Sequence, residues 1–298
     1  MAASKKSGTG PASSASAPKV SKIRAGMGDV ASESVEVWTD EDEARARGFF
    51  QLLDEDGNLK VTAPRLDGEL LRGVFRSMLR IRLLDEKMMT LQRQGRIGFY
   101  ADTRGQEASV VASVAALAPE DYIVPSHREA GAALHRGLPL RTFLAQVLGN
   151  AHDIAKGRQM PVHTASPRAL SYLPMSSVVA TQLPHAMGIA WAAKLQRKNT
   201  VVLAYLGEGA TSADDFHAGV NFAAVFKVPV VFLCENNGWA ISTRPNVQTH
   251  ADTFALKALA YGLPGVRIDG NDALAVHATT SETVAHARAG EEDRKSVV

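Results

Sequence analysis

The stretch from Thr200 to Ser242 carries the side chains with the plainest chemical purpose. Glu208 offers a carboxylate, Asn237 an amide oxygen, and Trp239, just past Gly238, a backbone carbonyl. Hard oxygen donors of this kind suit Mg²⁺, and phosphate and water oxygens would complete its octahedron. Gly207 and Gly209 bracket Glu208 in a Gly-Glu-Gly-Ala turn that ends at Ala210. Lacking a Cβ, they let the backbone approach a phosphate. A helix opening near Ser212 would aim free amides and its positive dipole end at the same anion. Alone, a Gly-x-Gly after a strand fits a structural turn or an unrelated nucleotide site equally well.

The elements that must position these groups can be read around them. Thr200 to Leu206 is a continuous apolar run of strand length, Ser212 to Phe226 has a cap followed by helical periodicity, and Val228 to Leu233 is a second buried run. Pro229 stands near the start of that run, where a missing N–H matters least. The pattern is strand, helix, strand of a parallel sheet. In such sheets ligands gather beyond the carboxyl ends of the strands. Glu208 and Asn237, 29 positions apart, both fall at such ends.

Elsewhere, apolar positions from Leu70 to Leu91 recur at helical spacing between a capping Asp67 and a terminating Gly95. A helix is expected over Gln106 to Leu117, a short apolar strand over Tyr122 to Val124, and a helix from Pro184 through Lys198. The small residues Ala186, Gly188, Ala190, Ala192 and Ala193 of the last helix fit either tight internal packing or a subunit contact. A strand at Val266 to Ile268 and a helix from Asp272 to Ala289 continue the alternation. The expected fold class is α/β, a parallel sheet flanked by helices.

Composition narrows the function classes. The chain has 298 residues, 45% of them hydrophobic, enough for one large domain or two small ones. A formal net charge of +2 gives no field that would select nucleic acid or an anionic membrane. The single cysteine, Cys234, excludes an internal disulfide and reads as a small buried apolar side chain. No apolar run approaches the ~20 residues of a spanning helix, and no secretory stretch opens the chain. Residues 1–35 read as a disordered basic tail, a transit peptide being the alternative although Arg24 is its one arginine. Residues 36–290 then form the folded domain.

From about Phe50 to Gly290 the chain resembles the alpha subunits of the decarboxylating component of 2-oxo acid dehydrogenase complexes, above all the branched-chain type. The resemblance rests on Arg96 to Tyr100, Gly105-Gln-Glu-Ala108, Ser126-His-Arg-Glu-Ala-Gly131, Gly157-Arg-Gln-Met-Pro-Val-His163, Ser176-Ser-Val-Val-Ala-Thr-Gln182, Gly207-Glu-Gly-Ala210 and Glu235-Asn-Asn-Gly-Trp-Ala-Ile-Ser242. It implies a thiamine-diphosphate-binding fold. Glu208, Asn237 and the Trp239 carbonyl would hold Mg²⁺, and Arg128, with His127 beside it, would meet the diphosphate. Gln106 would lie near the cofactor pocket, and Ser177 and Val179 beside the thiamine rings. Oxygens of Ser176, Thr181 and Gln182 match a monovalent cation site, K⁺ in some members. His163 reads on its own as a packed loop histidine.

The chain departs from the pattern in three places. His127 stands where tyrosine is common, Trp239 replaces a usual tyrosine, and Glu235 replaces an arginine that could reach the phosphates. A carboxylate at Glu235 would repel the diphosphate unless it turned away or paired with a cation.

By resemblance the partners are a beta subunit in an α2β2 heterotetramer, a lipoyl-bearing acyltransferase core and a 2-oxo acid substrate. The chemistry is decarboxylation with acyl transfer, on branched-chain acids in preference to pyruvate or acetoin. A bacterial cytoplasm is the expected location, with the mitochondrial matrix as the alternative. The family continues past Gly290 into a loop histidine, so no catalytic residue is assigned here. Asp293 to Val298 matches the translation of a sequencing adapter, so residues 291–298 are expected to be non-native. A naturally shortened, non-catalytic binding subunit and a generic nucleotide-binding domain are the competing readings.

Overall fold

The computed structural model describes residues 39–61 and 67–290. The expected basic tail and the expected non-native end lie outside the described residues. In chain order the helices are α1 (Asp40–Arg47), α2 (Gly68–Arg93), α3 (Glu107–Ala115), α4 (Ala130–His135), α5 (Leu140–Val147), α6 (Gln182–Leu195), α7 (Asp214–Phe226), α8 (Pro245–Gln248), α9 (Leu256–Leu259) and α10 (Ala273–Ala289). The strands are β1 (Tyr122–Val124), β2 (Val202–Gly207) and β3 (Val230–Glu235).

These strands form one parallel sheet in the order β1-β2-β3. Val202 stands opposite Tyr122 on one side and Val230 on the other, and Gly207 pairs with Glu235. Because side chains alternate across a strand, the apolar runs supply two cores. Leu203, Tyr205, Val231 and Leu233 join Val110, Val114 and Ala132 of α3 and α4 on one face. Val202, Ala204, Leu206, Val230 and Phe232 join Leu183, Ala186, Ala190 and Val220 of α6 and α7 on the other. The result is the expected parallel sheet flanked by helices.

Asp67 caps α2 through the amides of Glu69 and Leu70, and Gly95 follows the helix at a φ of 72°. The helix nevertheless buries only Val74, Ile81, Asp85 and Met88, and leaves Leu71, Phe75, Leu79 and Leu83 exposed at four-residue intervals. Residues 71, 75 and 79 therefore belong to a second apolar face and lie outside the core. On α6, Ala186 and Ala190 pack inward while Gly188 has no atom within reach of a Cβ. Tight internal packing thus holds for Ala186 and Ala190, while Gly188 faces away from the core.

Two expectations are corrected. Ser212 does not cap α7: residues Glu208–Ser212 tighten into a 3₁₀ turn and the helix begins at Asp214 behind Ala213. The Val266 to Ile268 strand does not extend the sheet. Ile268 makes a single bridge to Phe50, whose amide donates to the Arg267 carbonyl at 2.9 Å. Asp272 holds that N-terminal segment in place by accepting from the Leu52 and Leu53 amides, each at 2.7 Å, while also capping α10.

Asp121 ties the sheet to α10. Fully buried, it accepts from the amides of Ala118 at 2.8 Å and Val201 at 2.9 Å and pairs with Arg288 at 2.6 Å. Removing one partner of such a pair leaves a charge and buried amides unsatisfied. Asp121→Ala is expected to lower the unfolding free energy by about 3 kcal/mol, the lower end for a buried pair because Arg288 is partly solvated. Urea denaturation measures this, and a loss below about 1 kcal/mol would sink the assignment.

Candidate functional site

All three strands finish at the same edge of the sheet, and each is followed by residues singled out for chemistry: Ser126 to Glu129 after β1, Glu208 after β2, Asn236 and Asn237 after β3. Parallel register does this by itself, since parallel strands end on one side.

Glu208 is 2% exposed, and its Oε1 has no hydrogen-bond partner. A buried carboxylate oxygen without a donor is costly, so the position calls for a cation or a donor from a ligand. The loop after β3 lies directly on this turn: a Cβ on Gly209 would come within 2.6 Å of the Ala240 Cβ. Asn236 and Asn237 shape the loop by accepting from the amides of Gly238 and Trp239, each at 3.0 Å, and Gly238 takes a φ of 80°. The Asn237 amide oxygen keeps a second lone pair for a cation. Arg244 covers the half-exposed Trp239 ring at 4.8 Å. Gly207, by contrast, has a negative φ and open space where a Cβ would stand, so neither backbone strain nor close packing requires glycine there. Ala210 is buried, which leaves only its backbone available.

Among the described residues no group of three or more His, Cys, Asp or Glu could hold a metal. A cation at Glu208 would accordingly rely on amide, carbonyl and ligand oxygens, the donor set of Mg²⁺ shared with a phosphate.

Arg128 comes to the same edge. Its guanidinium donates to the carbonyl and to the carboxylate of Asp102, the latter at 3.2 Å. The buried Asp85 fixes the preceding loop by accepting from the Tyr100 hydroxyl at 2.6 Å and the Thr103 amide at 2.7 Å. Thr103 in turn donates to the Arg128 carbonyl at 2.8 Å.

Glu235 is buried beside Glu129 and accepts from the Ser109 hydroxyl. Burial first, and then the neighbouring Glu129 charge, push its carboxyl well above the usual range. A shift in this direction favours the neutral form, which would lessen the repulsion expected between Glu235 and a diphosphate. Gln106 lines a cavity of about 750 Å³ with Glu235, Asn236 and Asn237. At the start of α3 it makes no side-chain cap, so its side chain is free for that cavity.

A second group gathers around His163. Its Nε2 bonds the Ser177 hydroxyl, its buried Nδ1 has no partner, and its ring meets that of His127 edge-on at 6.3 Å. Burial, then the proximity of His127, lower its pKa. Sequence alone gave His163 no more than a packing role; only the fold reveals that it joins His127 and Ser177. Val179, two positions after Ser177, is half-exposed. Of the expected monovalent cation set, Ser176 accepts from the Val178 amide at 3.3 Å and Gln182 gives its amide nitrogen to the Tyr205 carbonyl at 2.9 Å, while Thr181 precedes α6. Burial pushes the Cys234 thiol up to about 12, so it stays protonated.

Residues 75–294 match the family described as dehydrogenase E1 component. The chain belongs to that family. It is 44% identical over 239 residues to 2-oxoisovalerate dehydrogenase subunit alpha 1, mitochondrial, of Arabidopsis thaliana, covering 80% of this chain and 50% of that protein. It is 42% identical over 236 residues to the corresponding alpha subunit of Homo sapiens, covering 78% and 53%. The Caenorhabditis elegans subunit is 41% identical over 244 residues, covering 81% and 56%. This member of the family spans about half the length of these curated relatives. Among its described residues no helix is long and apolar enough to cross a membrane.

The raised carboxyl of Glu235 makes a signed prediction. A group that holds its proton when folded but has released it when unfolded costs stability as pH rises above the ordinary carboxylate range. Glu235→Gln, an uncharged shape match, removes that cost. Its stability relative to the unsubstituted chain is expected to grow between pH 5 and 7 in urea titrations. A difference that stays flat, or shrinks, means that Glu235 is ionised in the fold.

Proposed function

We propose that this chain is the thiamine-diphosphate-binding alpha subunit of a 2-oxo acid dehydrogenase acting on branched-chain 2-oxo acids. The observation that carries this reading is the buried Glu208 carboxylate at the strand ends, its Oε1 without a hydrogen-bond partner, beneath the loop of Asn237 and Trp239. Glu208, Asn237 and the Trp239 carbonyl hold Mg²⁺, Arg128 and the open Gly207 turn receive the diphosphate, and Gln106 lines its pocket. Ser177 and Val179, with His127 nearby, flank the rings. Ser176, Thr181 and Gln182 hold K⁺ if the chain keeps that site.

Bound thiamine diphosphate supplies the carbon nucleophile and the electron sink for decarboxylation. The protein's part is to fix its position: Glu208 neutralises metal charge, Arg128 orients phosphate, and the raised carboxyl of Glu235 favours its uncharged form. His163, low in pKa and linked to Ser177, keeps a neutral nitrogen on the ring side of the site. The names of the relatives, all 2-oxoisovalerate dehydrogenase alpha subunits, favour branched-chain acids over pyruvate or acetoin. Their mitochondrial address favours the matrix over a bacterial cytoplasm.

The partners are a beta subunit, in an α2β2 assembly, and a lipoyl-bearing acyltransferase core. Exposed apolar rows support a subunit contact: Leu71, Phe75, Leu79 and Leu83 on α2, and Trp191, Leu195, Phe222 and Val225 on α6 and α7. Trp191 and Phe226 stack at 4.7 Å on that second surface. Such contiguous apolar surface marks an interaction site.

Thiamine diphosphate binding in the presence of Mg²⁺, followed by calorimetry, tests the reading. Glu208→Gln is expected to weaken it by at least the ~100-fold that loss of a metal ligand's support can cost. Chelating the metal with EDTA should abolish binding to the unsubstituted chain. Equal affinity in the variant, or metal-independent binding, would remove Glu208 from the site.

A further inference from the structure

Glu208 is not alone in presenting an unsatisfied oxygen to this turn. The side-chain oxygen of Gln248, Oε1, is also buried without a hydrogen-bond partner. Its orientation is fixed by chemistry. Gln248 Nε2 donates to the Thr243 carbonyl at 3.2 Å, and since a carbonyl can only accept, the amide nitrogen must face Thr243 and the oxygen must face away.

What the oxygen faces is the metal turn. It lies 3.8 Å from the point where a Cβ on Gly209 would stand, and α8 packs against residues Glu208–Ser212. Thr243 closes the loop that carries Asn237 and Trp239, exchanging two backbone hydrogen bonds with Ala240, each at 2.9 Å. Gln248 thus touches both walls of the site: its nitrogen holds the loop after β3, and its oxygen points at the turn after β2. Two acceptor-only oxygens, from Glu208 and Gln248, are buried at one turn with no donor. A net excess of acceptors is the arrangement that a hydrated cation satisfies, because the cation binds one oxygen and its own water donates to the other. Mg²⁺ dehydrates reluctantly and normally retains such waters.

We propose that Gln248 is a positioning residue of the cation site, accepting a hydrogen bond from a water of the divalent cation while its nitrogen latches the Asn237–Trp239 loop. This rests on the reading that Glu208 holds a divalent cation. Outer partners of this kind orient the ligands and tune affinity, typically by about 10- to 100-fold.

Mn²⁺ serves as the probe, its free signal followed by electron paramagnetic resonance with the full chain and thiamine diphosphate. Gln248→Met keeps the length of the side chain and removes both donor and acceptor; Mn²⁺ affinity is expected to fall about tenfold. Gln248→Glu keeps an acceptor but loses the latch, and is expected to bind Mn²⁺ several-fold more tightly than Gln248→Met. Melting temperatures of the metal-free variants, expected to match that of the unsubstituted chain, separate this from a loss of fold. Unchanged affinity in Gln248→Met would overturn the proposal. So would equal losses in both variants, which would leave Gln248 a loop latch only. If the unsubstituted chain itself takes up no Mn²⁺ with thiamine diphosphate, the metal reading of Glu208 falls first, and this inference with it.

Discussion

Glu208 keeps its carboxylate where water does not reach, at the end of the central strand, with one oxygen lacking any donor. A folded chain tolerates such a group only when something else supplies the missing charge or hydrogen bond. Much of the local architecture follows from that need. Gly209 lacks a Cβ, so the next loop can lie on the turn, and that loop is shaped by two asparagines whose side chains spend one lone pair each on their own backbone. The sheet behind it is covered on both faces, so the turn and the loop rise from a packed base. The strain of an unsatisfied acceptor is thereby kept at one place.

The elements that the sequence reveals are those with a strong local signal. Strands β2 and β3 are buried on both faces and read as unbroken apolar runs; α2 has Asp67 at one end and Gly95 at the other. Elements without such a signal escaped. Helix α1 is Asp-Glu-Asp-Glu-Ala-Arg-Ala-Arg, with Ala46 its one buried residue, so no apolar period marks it. Helices α8 and α9 are single turns of four residues, too short for periodicity to show. Val266 to Ile268 failed in the opposite sense: its β-branched composition suited a strand, yet Phe50, more than 200 positions away in sequence, claimed it. No local pattern contains that contact.

The site divides in the same way. Glu208 and Asn237 were placed by the one rule that parallel strands end together, whereas Arg128, which follows β1, was singled out only by the family resemblance. Gln248 and the raised carboxyl of Glu235 were not legible, because each depends on what the fold brings beside it. Gln248 matters through an oxygen left without a donor, and Glu235 through a second carboxyl, Glu129, over 100 positions distant. His163 is intermediate: its motif was visible, its neighbours Ser177 and His127 were not.

The exposed apolar rows bear on what this domain requires from outside itself. Leu71, Phe75, Leu79 and Leu83 lie along one side of α2 while its opposite side already fills the core. Helix α6 likewise packs Ala186 and Ala190 inward and turns Gly188 and Trp191 outward. A helix apolar on two faces has more hydrophobic surface than one core can use. At about 25 cal/mol per Å² of apolar area removed from water, covering such side chains is worth roughly 1.5 to 3 kcal/mol each, before the costs of association. Several such residues in rows can therefore supply a stable contact, whereas scattered single ones could not. The small outward residues of α6 add geometry to that energy, since a position without a side chain lets a partner's backbone come close. The same helix thus serves the sheet with one face and leaves the other uncovered.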